Sequence, residues 1–169
     1  MDPDIEVRPF DSNMDDEKAI VGQWSDELLK VQSDRAGTQR YIDRQIAYDM
    51  GNIKKFYDGS KGQFFVAVSK AEQNKLIGFA AIGPLQNNPS KVCLMRVNIL
   101  DEYRNRGIAT RLCATAIDWC KATMKIKELG ATIDTTNLPS QALCKKLGFA
   151  FHSWYYKQII GYWRLALAS

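Results

Sequence analysis

With 169 residues, 46% of them hydrophobic, the chain is long enough for one substantial core and too short for a second, so a single domain over 1–169 is expected. The formal charge of +4 is dispersed among acids, as in Asp101-Glu102-Tyr103-Arg104, and no Lys/Arg block of the kind that tracks a phosphate backbone occurs; nucleic acid is not an expected partner. Cys93, Cys113, Cys120 and Cys144 lie in apolar runs without a CxxC pair and His152 is the lone histidine, which argues against a metal site, while the absence of a signal peptide or of an apolar run of spanning length points to a cytoplasmic chain with reduced thiols and no membrane contact.

Ile5-Glu6-Val7-Arg8-Pro9-Phe10 alternates apolar and polar residues and reads as a strand, with Asp11-Ser12-Asn13 supplying turn and N-cap chemistry for a helix. Ile20, Trp24, Leu28 and Val31 recur at helical spacing, as do Ile42, Ile46, Met50, Ile53 and Phe56, which predicts two amphipathic helices after the first strand. Phe64–Val68 and Leu76–Ile82 then read as a hairpin turning at Ala71–Asn74, and a polar loop Gln86–Ser90 leads to a strand over about Val92–Leu100.

Ile108, Leu112, Ala116 and Trp119 set the period of a mostly buried helix, Gly130–Thr136 reads as a strand, and Ser140–Leu147 as a short helix stopped by Gly148. Trp154-Tyr155-Tyr156 and Tyr162-Trp163-Arg164-Leu165 predict two closing strands. The fold class is therefore α/β in the broad α+β sense, antiparallel in its first half and strand–helix–strand in its second.

Between the strand ending at Leu100 and the helix starting near Gly107, the turn Arg104-Asn105-Arg106-Gly107-Ile108-Ala109 directs backbone N–H groups at a common point. Gly107 and Ala109 leave room for a phosphate, Arg104 and Arg106 offer charge-assisted hydrogen bonds, and Thr110 adds a hydroxyl. The same six residues also suit an ordinary strand-to-helix loop with solvated arginines; no Gly-Lys-Ser/Thr follows, so this is not a P-loop.

The segment resembles the acetyl-CoA motif of the GCN5-related N-acetyltransferases (GNAT), Arg/Gln-x-x-Gly-x-Gly/Ala, met by Arg104, Gly107 and Ala109. Asn137-Leu138-Pro139-Ser140-Gln141-Ala142-Leu143-Cys144-Lys145-Lys146-Leu147-Gly148-Phe149 resembles that family's second signature. Within the family, Met95–Ile99, the Arg104 turn and Asp134-Thr135-Thr136 are most similar to the camello-like enzymes, although Gln32–Arg40 is polar where those proteins carry a hydrophobic membrane segment. The resemblance implies six or seven strands, mostly antiparallel, about four flanking helices and a splayed central pair. It further implies acetyl-CoA as co-substrate, main-chain groups of Val97 and Ile99, with Asn98 between them, along the pantetheine arm, and Asn137 beside it.

Acetyl transfer by direct attack needs a base for the amine and a proton for the departing thiolate. Where the family often has a tyrosine, this chain has Cys144, which is either that proton donor or a small buried hydrophobe. The strand before the turn lacks the glutamate that many relatives use, so His152 is the candidate base and Asp134 a further carboxylate, each also readable as structural. Trp154, Tyr155 and Tyr156 either line the acceptor pocket or pack the sheet. The expected acceptor is a small-molecule amine, amino-acid conjugate or peptide, on a monomer or homodimer; the alternative is a non-catalytic acyl-CoA-binding module.

Overall fold

The structure, a computed structural model, describes residues 2–60 and 62–167. Seven strands form one sheet in the order β1-β2-β3-β4-β5-β7-β6: β1 Ile5–Pro9, β2 Gln63–Ser69, β3 Lys75–Leu85, β4 Asn88–Ile99, β5 Glu128–Asp134, β6 Ala150–Tyr156 and β7 Ile160–Ala166. All neighbours are antiparallel except β4 and β5, which run parallel. The α/β architecture with a splayed central pair is the one expected from the sequence.

The sheet is covered on both faces, and β2 shows why. Phe64, Val66 and Val68 alternate with Phe65 and Ala67, all buried, so one strand feeds two cores. The first set packs with Ile20, Trp24, Ile42, Met50 and Ile53 from α1 Glu17–Val31, α2 Arg35–Gln45, a π-turn at Ile46–Met50 and α3 Ile53–Ser60. The second packs with Leu112, Cys113 and Ala116 of α4 Ile108–Thr123 and with Cys144 of α5 Leu138–Lys146.

Three local expectations change. The first helix is capped by Asp16, whose carboxylate accepts the Lys18 N–H at 2.9 Å, while Asp11 closes only the turn before it. The second helix is broken by the π-turn, which gives five α-helices among the described residues. Gln86–Ser90 is not a loop: Leu85 pairs with Asn88, leaving only Gln86 and Asn87 in the turn, because the exposed end of β4 has no apolar face to display in its sequence.

Among the described residues, no helix is long and apolar enough to cross a membrane, and no group of three His, Cys, Asp or Glu residues is placed to hold a metal ion.

Candidate functional site

The helix α4 begins at Gly107, in the left-handed region at φ 77°, just after Asn105 at φ 61°. These two reversals bring the chain off β4 and into the helix within one short turn. No side chain caps α4. Its first i→i−4 bond is Arg111 N–H to Gly107 O at 3.1 Å, which leaves the N–H groups of Ile108, Ala109 and Thr110 as helix-start donors at the positive end of the dipole. A Cβ at Gly107 would meet nothing within 4 Å beyond its own chain neighbours, so the space at this position is open.

Both arginines of the turn have protein partners. Arg104 donates through Nε to Ile99 O at 3.2 Å and through Nη2 to Glu27 of α1 at 2.9 Å, and its Nη1 pairs with Asp101. It clamps the turn to the end of β4 and to α1. Arg106 donates to Glu102 O and lies over the Tyr103 ring, 4.9 Å from its centroid. The anion-facing character of the turn thus rests on main-chain donors and helix dipole more than on free guanidinium groups.

Beside this turn the sheet opens. The strands β4 and β5 pair at Cys93 and Gly130 alone, and the ladder stops there. Leu100 N–H bonds Ile77 O on β3, so by alternation the main-chain groups of Ile99 and Val97 face away from β3, into the space that β5 has left. Asn98 turns its side chain the other way, and its Oδ1 accepts from Gln23 of α1 at 3.0 Å. Asn137 caps α5, accepting the Ser140 N–H at 3.2 Å, and remains exposed.

At the vertex of this fork the Tyr162 hydroxyl lies over Gly130, in the volume a Cβ there would occupy. Burial pushes that hydroxyl up to about 12. His152 is exposed at a bulge in β6, with Nδ1 3.0 Å from Ser153 Oγ and its ring edge-on to Tyr162. Across the turn of the neighbouring hairpin, Asn87 Nδ2 donates to the Tyr155 hydroxyl. Cys144 instead faces the α4/α5 core, 6% exposed, and burial pushes its thiol up to about 11. Trp154 and Tyr156 are half exposed on the outermost strand.

One feature of the site is absent from the sequence reading. At a β-bulge between Met95 and Asn98, Arg96 takes φ 61° and reaches the buried Asp49 of the π-turn, 47 residues away in sequence. The only local signal is an arginine that follows the apolar run Val92–Met95 and precedes Val97.

A model of the Acetyltransferase (GNAT) family matches residues 25–149, which takes in the α4 turn, the fork and α5. The chain belongs to this family. Among similar proteins, N-acetyltransferase 8F1 of Rattus norvegicus is 27% identical over 133 residues, 75% of this GNAT chain and 56% of that protein; the chain therefore spans little more than half of that curated relative's length. A GNAT-family acetyltransferase from Staphylococcus aureus Mu50 superposes with a TM-score of 0.73 at 19% identity, covering 97% of this chain and 99% of the other. PaiA N-acetyltransferase from Thermoplasma acidophilum, in complex with coenzyme A, does so at 0.69 and 19%, covering 96% and 98%. At these identities the structural likeness shows the fold.

Proposed function

We propose that this chain is an acetyl-CoA-dependent N-acetyltransferase in which a primary amine of a small molecule, amino-acid conjugate or peptide attacks the thioester directly. The observation that carries the proposal is the β4–β5 fork opening beside the uncapped N-terminus of α4. A pyrophosphate suits the main-chain donors behind Gly107, and an amide-bearing arm suits the edge of β4 at Val97 and Ile99 that β5 leaves open, where the Ile99 carbonyl already accepts from Arg104 Nε. Bound there, acetyl-CoA supplies the acyl group as a thioester. Arg104, Asn105 and Arg106 shape the seat, Ile108, Ala109 and Thr110 present its donors, and Asn137 borders it. Placement among the camello-like enzymes is part of the same proposal, supported by the Met95–Ile99 and Asp134–Thr136 segments and by the likeness to N-acetyltransferase 8F1.

For the proton from the amine we propose His152, reached through water, since it is exposed against the Tyr162 ring that overlies the fork. For Cys144 the burial supports packing rather than proton donation. A thiol held at about 11 is a poor acid toward a departing CoA thiolate in the ordinary range of about 8.5. Cys144→Ala is therefore expected to leave kcat within about two-fold and to cost roughly 1–2 kcal/mol of stability. A fall in kcat of ten-fold or more with an unchanged melting temperature would make Cys144 the donor after all.

The proposal as a whole is tested by titrating CoA calorimetrically and by following thiol release from acetyl-CoA over amine and peptide acceptors. Saturable CoA binding with amine-dependent thiol release is expected. CoA binding without an acetylated product would favour the second reading, an acyl-CoA-binding module, which the buried Cys144 and the carboxylate-free β4 support.

A further inference from the structure

Arg96 is held by an arrangement that ordinary packing does not require. A non-glycine residue at φ 61° is costly, and the π-turn that delivers Asp49 is itself an irregular element. At their meeting point, Arg96 Nε donates to Asp49 Oδ2 at 3.1 Å, and Nη2 donates to Asp49 Oδ1 at 2.8 Å and to Gln45 Oε1 at 2.6 Å. Tyr57 donates its hydroxyl to the same carboxylate at 2.7 Å, and the Trp24 ring lies 5.4 Å from the guanidinium carbon. Asp49 is sealed, with its side chain at 0% exposure, and Arg96 nearly so at 9%.

These bonds use three of the five guanidinium N–H groups. The other two, both on Nη1, have no acceptor among the described residues. Nor is Nη1 sealed off: Arg8 Nε is the one fully buried side-chain nitrogen or oxygen left without a hydrogen bond among the described residues. The charge is thus immobilised on its inner edge and offers two donors on its outer edge. An accessible donor pair on a charge whose other three N–H groups are fixed is placed to receive an anionic oxygen from outside.

The position of Arg96 says which ligand. It follows the last β4–β5 rung, Cys93 with Gly130, by three residues, and it lies on the sheet face covered by α1–α3, opposite the α4/α5 core. The neighbouring residue, Val97, directs its main chain into the fork. A group bound at Nη1 would therefore belong to the acceptor rather than to CoA. A fixed guanidinium edge selects an anionic oxygen and repels a second cation.

We propose that Arg96 Nη1 receives a carboxylate of the acceptor, so that the substrate class is an amine bearing a free carboxylate rather than a polyamine or an amide-capped peptide. This rests on the acetyltransferase reading above. It makes Arg96 the specificity-determining residue of the acceptor side and Asp49 and Gln45 its positioning residues.

The test compares common amino acids with their C-terminal amides as acceptors, by thiol release from acetyl-CoA, in the wild type and in Arg96→Lys. Lysine keeps a cation beside Asp49 and removes Nη1. The free acids are expected to exceed the amides in kcat/KM by about ten-fold or more. In Arg96→Lys that ratio is expected to fall to near one while CoA affinity is retained; a merely structural role would lower both arms together and leave the ratio intact. Should the lysine variant not fold, Arg96→Met combined with Asp49→Leu replaces the whole pair by apolar groups and reads the same ratio. Amides accepted as well as acids, or a ratio unmoved in either variant, overturns the proposal. So does an absence of product in both arms with CoA still bound, which leaves the CoA seat standing. A failure to bind CoA overturns the acetyltransferase reading itself.

Discussion

Gly107→Val is expected to remove CoA binding from a protein that still folds. Two separate properties of the position lead there. At φ 77° a side chain is strained by about 1–2 kcal/mol, more for a β-branched one, which is a fraction of the roughly 5–15 kcal/mol that a domain of this kind has to lose. A Cβ there meets nothing within 4 Å beyond its chain neighbours, so the cost to the fold is backbone strain rather than a packing clash at Cβ. The new side chain fills open space at the start of α4, beside the proposed pyrophosphate seat. An affinity loss above about 100-fold, or roughly 2.7 kcal/mol, is expected by calorimetric titration, with the cooperative melt preserved. Gly107→Ala should share most of the backbone strain and intrude less, so its loss should be smaller. Full CoA affinity in the valine variant would remove the α4 turn from the site.

The difference between this turn and the Asp49–Arg96 pair explains how much was legible from sequence. The turn is local: a glycine after two arginines at the end of a strand fixes φ, the helix start and its free donors within six residues. The fork was legible by resemblance alone, since nothing in Gly130–Thr136 states that its ladder with β4 is one rung long. The hold on the Arg104 guanidinium was not legible, because the Glu27 that takes it lies on another element. Asp49 was not legible at all. Asp49 stands at i+7 from Ile42 and i+3 from Ile46, on the same helical stripe as Met50 and Ile53, where a lone carboxylate reads as the stripe's solvated edge. What settles its burial is its partner Arg96, 47 residues away, which the sequence distance conceals.

That burial sets the largest stability effect expected in the molecule. Asp49→Leu removes a carboxylate that accepts from Arg96 Nε, Arg96 Nη2 and the Tyr57 hydroxyl, and leaves all three donors facing apolar surroundings. Breaking one side of a buried pair costs about 3–5 kcal/mol, mostly for the charge left behind, which in a chain of this length lowers the melting temperature by roughly 6–20 °C. The exposed Lys54–Asp58 pair on α3 has a comparable distance, 2.7 Å, yet its loss should leave stability nearly unchanged, because water solvates both partners. Adding Arg96→Met to Asp49→Leu is expected to recover much of the lost stability, since the orphaned charge goes with it. Thermal or urea unfolding of the two single variants and the double variant decides the matter: an Asp49→Leu protein within 1 kcal/mol of wild type would mean that water reaches the pair. Recovery in the double variant without recovery of the acid-over-amide preference would separate what the pair does for the fold from what its outer edge does for the acceptor.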